Sequence, residues 1–368
     1  MSQNSSGWSG KDLTQTSIRR FRDFDVSWAG PGRKTGELCF GSEDGRILLT
    51  NEELIPTGRF KDSPIPSNEA INGIAFLNDL IALSTRCEVV FVSQQSVNGK
   101  GFRSIFPAGA HGVIATLSGY CVAPLGRSGV MMVKPSAGEQ QPVTIRRVPN
   151  ERFDFYKVIN ISSPGGELLV CATRINGVAA MPFPSEGAGF VSSLTYPGLD
   201  VVDVCSLGQN LQAPAIAAVS SDCTLILSRD AFHDPKPTTI KYDEIKGTAY
   251  RVFNYDGNLI LLTSRAIYVL AALGRRFLAN EPIGSRPTPV KAVLLETVDA
   301  NLVDNRWLLV VMADGVSLLN LEGLVGSVPS AQHADVPQDV SPVESWPDWQ
   351  PHRTGLESVS REMAHAGR

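Results

Sequence analysis

The sequence predicts an all-β fold built from one repeated antiparallel unit. Short apolar runs follow one another with turn residues between them, a hairpin turn recurs at a near-constant interval, and crossover helices are missing between the runs. Residues 71–93, INGIAFLNDLIALSTRCEVVFVS, show the unit in miniature. Runs at 71–77, 80–84 and 89–93 are separated by Asn78-Asp79 and by Thr85-Arg86-Cys87-Glu88.

The recurring turn joins the second and third runs of each unit. It reads Asp44-Gly45, Arg86-Cys87, Arg127-Ser128-Gly129, residues 174–177, Ser221-Asp222, Ser264-Arg265 and Asp314-Gly315. Successive turns lie roughly 42 to 50 residues apart, the interval of a four-stranded propeller blade. Asp-Gly favours such turns because both residues tolerate positive φ. The runs flanking each turn are nearly continuous in apolar residues, as strands buried on both faces must be.

Runs at 71–77, 113–117, 156–161, 201–207, 250–254 and 290–296 are assigned as inner strands. Segments such as 102–106 and 142–148 supply fourth strands. Helical periodicity is weak; only 290–302, with Val290, Val293, Leu294, Val298 and Leu302 on one face, resembles a helix. The seventh unit supplies only three strands before the chain turns polar. Residues 12–20 are therefore expected beside 316–320 as the missing outer strand, closing the ring. Residues 24–29 form a further strand candidate.

On period, strand order and turn chemistry, residues 12–325 resemble the WD-repeat-like propellers. The resemblance implies a seven-bladed β-propeller of four-stranded antiparallel blades that serves as a binding platform. None of the third strands ends in the Trp-Asp pair of that family, and Gly109-Ala110-His111 matches its Gly-His pair only faintly. Residues 1–11 read as a flexible arm. Residues 326–368 read as a Pro-rich disordered tail. Within it, 354–364 could form a short helix, with Thr354 and Glu357 as a capping box.

Composition narrows the function. Of 368 residues, 43% are hydrophobic, 19% are charged and the net charge is -4. A large core can form, and the chain lacks the basic excess of a broad nucleic-acid surface. Cys39, Cys87, Cys121, Cys171, Cys205 and Cys223 form no C-x-x-C pair. They are expected to be reduced, buried small hydrophobes. A polar N-terminus and an apolar stretch at 259–273 too short to span a bilayer give the expectation of a cytoplasmic protein with no membrane contact.

No motif carries chemistry. Residues 5–12, SSGWSGKD, lack the leading Gly and trailing Ser/Thr of a phosphate loop. His111, His233, His333, His352 and His365 are not at metal-ligand spacing, and no G-x-S-x-G elbow occurs. No cofactor, metal or catalytic residue is therefore assigned. The candidate binding residues are Arg86, Arg127, Arg174 and Arg265, at equivalent turns of units two, three, four and six. In the resembled topology these turns share one face. That arc would dock an acidic or phosphorylated segment of a protein partner, arginine being a bidentate donor to both groups. Glu43-Asp44, Asp222 and Asp314 would leave the rest of the face acidic. The acidic tail residues Asp335, Asp339, Glu344 and Asp348 could occupy the arc instead. Trp346 and Trp349 form a candidate docking motif, exposed tryptophan being a common interface anchor. The expected function is a non-catalytic protein-interaction scaffold within a larger complex. The alternatives are a propeller hydrolase or lyase acting at the central channel, and, more weakly supported, a nucleic-acid binder using the arginine arc.

Overall fold

The computed structural model describes residues 18–59, 65, 68–77, 80–93, 103–106, 109–134, 144–148, 153–163, 166–183, 192–194, 199–209, 214–231, 237–281, 283, 290–303 and 306–326. The expected arm, most of the tail with Trp346, Trp349 and the 354–364 helix, and His233 lie outside the described residues.

Among the described residues the strands form seven antiparallel sheets in chain order, each a simple meander. The first holds β1 (Val26–Pro31), β2 (Glu37–Ser42), β3 (Ile47–Asn51) and β4 (Pro56–Arg59). The second holds β5 (Gly73–Leu77), β6 (Leu80–Ser84), β7 (Val89–Ser93) and β8 (Arg103–Phe106). The third holds β9 (Ile114–Ala115), β10 (Cys121–Pro124), β11 (Val130–Lys134) and β12 (Thr144–Val148). The fourth holds β13 (Phe155–Ser163), β14 (Gly166–Thr173), β15 (Gly177–Phe183) and β16 (Ser192–Leu194). The fifth holds β17 (Val201–Gln209), β18 (Pro214–Ser220), β19 (Thr224–Ser228) and β20 (Thr238–Lys241). The sixth holds β21 (Ala249–Tyr255), β22 (Asn258–Thr263), β23 (Ala266–Leu270) and β24 (Val290–Leu294). The seventh has three strands, β25 (Asp299–Val303), β26 (Trp307–Met312) and β27 (Gly315–Asn320).

Side chains alternate along a strand, and that alternation explains the continuous apolar runs. In β14, Leu169 and Cys171 pack against Val122 and Met132 of the third sheet. Leu168 and Val170 pack on the other side against Ile216 and Ala218 of the fifth. The same division continues around the molecule. Ala217 meets Leu259 and Leu261, and Ile260 meets Leu308 and Val310. Leu309 and Val311 then meet Leu38 and Phe40 of the first sheet. Cys39 meets Ile81 and Leu83, and Ala82 meets Cys121 and Ala123. The core is thus a succession of apolar layers, each shared by two sheets, and the last layer joins the seventh sheet to the first.

The N-terminal segment meets the seventh sheet at one residue of the expected strand. Arg19 forms an antiparallel bridge with Val316, its N–H donating to the Val316 carbonyl at 2.8 Å and its carbonyl accepting from the Val316 N–H at 3.0 Å. Residues 12–17 of the expected strand lie outside the described residues. Phe21 packs against Phe40 with ring centroids 5.1 Å apart, and Phe24 is buried in the same layer.

All seven second-to-third-strand turns fall where the sequence places them. Five share a further feature. A buried hydroxyl closes the second strand: Ser42, Thr85, Thr173, Ser220 or Thr263. Each donates to a carbonyl across the turn and accepts a backbone N–H from it, as Thr263 does with Ala266. The hydroxyl satisfies turn groups that would otherwise be orphaned at a packed corner.

Two expectations need correction. Val290–Leu294 is the outer strand of the sixth sheet, paired with Ala266–Leu270, and is neither an inner strand nor part of a helix. The inner strand of the seventh sheet is β25, DANLV. A strand at the axis tolerates polar side chains, so apolar runs do not mark it. The described residues also include two short helices, α1 (Leu273–Leu278) and α2 (Leu321–Gly326), which the sequence did not suggest. Phe277 of α1 and Leu324 of α2 are buried and seal sheet edges.

Gly109 runs directly beneath the Arg86 turn: a Cβ there would sit 1.7 Å from the Arg86 carbonyl oxygen. The neighbouring Ala110 N–H donates to Thr85, so the segment cannot retreat without breaking that bond. Gly109→Ala is expected to destabilise the fold by about 2 kcal/mol, read from denaturant unfolding.

Candidate functional site

The seven turns and the entries to the inner strands lie at one end of the sheets, tied together by backbone hydrogen bonds. The Ile71 N–H donates to Ser42, Ala110 to Thr85, Arg174 to Asp154, Ala249 to Ser221 and Leu295 to Arg265. Arg86, Arg127, Arg174 and Arg265 therefore share this end, as the sequence implies.

Their surroundings differ from those of the acidic turns. Asp44 forms an ion pair with Arg46 at 2.6 Å, Asp222 with Lys241 at 2.8 Å and Asp314 with Arg20 at 3.5 Å. The Arg46 contact holds the Asp44 carboxyl below its usual range. Three of the four expected acidic residues are thus offset by a cation of their own, and Glu43 is exposed with no ion pair among the described residues. Arg86, Arg127 and Arg265 are exposed and have no ion-pair partner among the described residues. The Arg174 guanidinium lies over the Tyr156 ring, 4.2 Å from its centroid.

Three of the four arginines stand on successive sheets, and His111 lies near two of them, Arg174 and Arg86. The His111 ring meets the Tyr156 ring with centroids 5.1 Å apart and planes tilted by 47°. Burial, then the Arg174 charge, and more weakly Arg86, lower the His111 pKa against the opposing pull of Asp154. Arg127 stands in the intervening third sheet, beside Gly126, which is bridged to Phe155 at the start of β13. Arg265 belongs to the sixth sheet and is separated from this patch by the fifth.

Cys87 departs from expectation. It is exposed in the Arg86 turn, whereas Cys39, Cys121, Cys171 and Cys223 are buried and Cys205 is half-buried. The Glu69 carboxyl accepts from the Cys87 thiol and raises its pKa, so the exposed sulfur is not an activated thiolate.

Below the patch runs a cavity of about 450 Å³, lined from six of the seven inner strands by residues including Trp28, Ile74, Ala115, Lys157, Arg251 and Asn301. Its wall holds a charge cluster that sequence spacing could not reveal. Arg251 pairs with Asp299 of the next sheet at 2.8 Å, both side chains being largely buried. Burial works against the Arg251 charge, but Asp299 and Asp203 outweigh it and raise its pKa. Asp203 is 2% exposed and accepts from the Val252 N–H at 2.9 Å through Oδ2, while Oδ1 has no partner among the described residues. Burial raises its pKa against the pull of Lys157 and Arg251. Burial and the Arg251 charge lower the Lys157 pKa to about 8. The only available signal was polar residues interrupting the inner runs, as in FYKVINI and VVDVCSL.

The β-propeller domain of Cps50 (Swd1) from Myceliophteria thermophila is similar to this structure with a TM-score of 0.60, over 83% of this chain and 99% of that one, at 12% sequence identity. This chain has a β-propeller fold. No family model matches it, and no curated protein matches its sequence. In the propeller the arginine patch lies at the end of the blades that bears the turns, and the Lys157–Arg251 cluster lies in the central channel.

Proposed function

We propose that the propeller is a non-catalytic protein-interaction scaffold. It docks an acidic or phosphorylated partner segment across Arg86, Arg127 and Arg174. The observation that carries this reading is the asymmetry of pairing: Asp44, Asp222 and Asp314 of the acidic turns are matched by cations of their own, whereas the arginines of three successive blades have no ion-pair partner among the described residues. An unmatched guanidinium on a rigid turn offers its donor fork to an incoming carboxylate or phosphate with little reorganisation. The contact with the Tyr156 ring helps to hold the Arg174 guanidinium in place. Arg265, in a separate sector, is outside this docking surface.

The test is the triple variant Arg86→Ala/Arg127→Ala/Arg174→Ala in capture of cellular partners at near-physiological salt. Each exposed charge contact contributes about 0.5–1 kcal/mol, so partner affinity is expected to fall roughly tenfold or more. Arg265→Ala is expected to bind as the wild type does. Undiminished capture by the triple variant discards the patch.

A second reading, a hydrolase or lyase acting in the channel, is favoured by one observation: Lys157, Arg251, Asp203 and Asp299 converge near the axis. Against it, His111 has no hydrogen-bonded hydroxyl or thiol among the described residues, so no nucleophile–base pair is assembled there.

A further inference from the structure

The channel cluster has an arrangement that a scaffold surface does not require. Its two cations and two carboxylates are not distributed evenly about the cavity. Lys157 and Arg251 line the cavity, whereas Asp203 and Asp299 are absent from its lining. Asp299 is occupied by Arg251 and by the Ala300 N–H at 2.8 Å. Asp203 is turned onto the Val252 N–H. The cavity therefore meets the cationic side of the cluster.

Lys157 is the group left over. Among the described residues its ammonium makes no ion pair or hydrogen bond, although Arg251, Asp203 and Asp299 all act on it electrostatically. Lysine brings three donors. In this half-open cavity the donors are available to an acceptor that enters it. Burial weakens the charge, which fits a site whose counter-ion is absent from the bare chain. The rest of the wall supplies shape and polarity. The Asn72 Nδ2 donates to the Ala110 carbonyl at 2.6 Å, which fixes that amide, and the Asn301 Nδ2 is likewise engaged by the Ala29 carbonyl at 2.5 Å. Trp28, Ile74, Phe76, Val113 and Val158 give an apolar lining. A volume of about 450 Å³ suits a metabolite-sized molecule.

We propose that the central channel is a binding site for a small organic carboxylate, whose anionic group is held by Lys157 beside Arg251 and whose carbon skeleton lies on the apolar wall. A carboxylate accepts from an ammonium and a guanidinium together. The site uses none of the three patch arginines, although His111, beside Arg86 and Arg174, also lines the cavity.

The test is calorimetric titration of the full chain with succinate, benzoate, inorganic phosphate and the neutral control succinamide. Wild-type protein is expected to bind succinate or benzoate and to ignore succinamide. Lys157→Met is expected to weaken carboxylate binding about tenfold or more, as loss of a charged hydrogen bond does. Because Lys157 also offsets the buried Asp203 charge, the variant is expected to melt somewhat lower than the wild type, so binding is compared at a temperature where both are fully folded. Lys157→Gln provides a second variant in case the methionine fails to fold. The triple arginine variant is expected to keep carboxylate binding, so loss of the patch and loss of the channel site give different results. Absence of carboxylate binding, binding of phosphate alone, or binding undiminished in both Lys157 variants would each overturn the proposal.

Discussion

Deletion of residues 1–22 is expected to lower the melting midpoint of the propeller by roughly 5–10 °C, read by circular dichroism or calorimetry. The reason lies in Arg19 to Phe21. Removing them breaks the two backbone hydrogen bonds between Arg19 and Val316. It removes the Arg20 Nε donation to the Asp314 carbonyl at 2.7 Å. It also takes the Phe21 ring off Phe40 in the layer where the last blade meets the first. Two ladder bonds contribute about 1 kcal/mol each and a half-buried ring about 2 kcal/mol, giving a loss of about 4 kcal/mol. The deletion also leaves β27 as an unpaired edge, so the truncated chain is expected to aggregate more readily. A truncated chain that melts with the full-length protein would show that the seventh sheet holds without its N-terminal partner. Gly315→Ala tests the same seam more gently: Gly315 has φ of 148° and its added Cβ would lie 2.5 Å from the Arg19 carbonyl oxygen.

Asp299→Ala is expected to destabilise the propeller by about 3 kcal/mol, because it strands the Arg251 charge in a largely buried position. The pair spans the sixth and seventh blades, and Arg251 also reaches the Ala300 carbonyl at 3.4 Å. The double change Arg251→Met/Asp299→Leu is expected to recover most of the loss, since it removes both charges and their desolvation together. Equal unfolding midpoints for Asp299→Ala and wild type would mean that water reaches Arg251 through the channel and replaces the carboxylate.

The two sites were legible to different degrees. Arg86, Arg127, Arg174 and Arg265 could be placed because each sits in a hairpin turn whose position follows from the runs on either side. Their pairing could not be placed. Asp222 meets Lys241 from the outer strand of its own blade, and Asp314 meets Arg20 from the other end of the chain. Both contacts depend on register between segments that sequence order does not relate. Lys157, Asp203, Arg251 and Asp299 come from four inner strands, one in each of the last four blades, and only closure of the ring gathers them.

By itself the sequence determined the blade: a two-residue alternation in nearly continuous apolar strands, and turns whose glycines, aspartates and hydroxyls stop those strands at a regular interval. These features act locally, through side-chain direction and turn chemistry, so local reading recovers them. The tertiary structure alone decided which strand faces the axis in the seventh blade, which charges neutralise one another at the turn-bearing end, and which remain free in the channel. Polar side chains on an axial strand look like loop residues when read singly. Their meaning comes from the radial packing of neighbours some 50 residues away, as with Arg251 and Asp299, 48 residues apart in the chain.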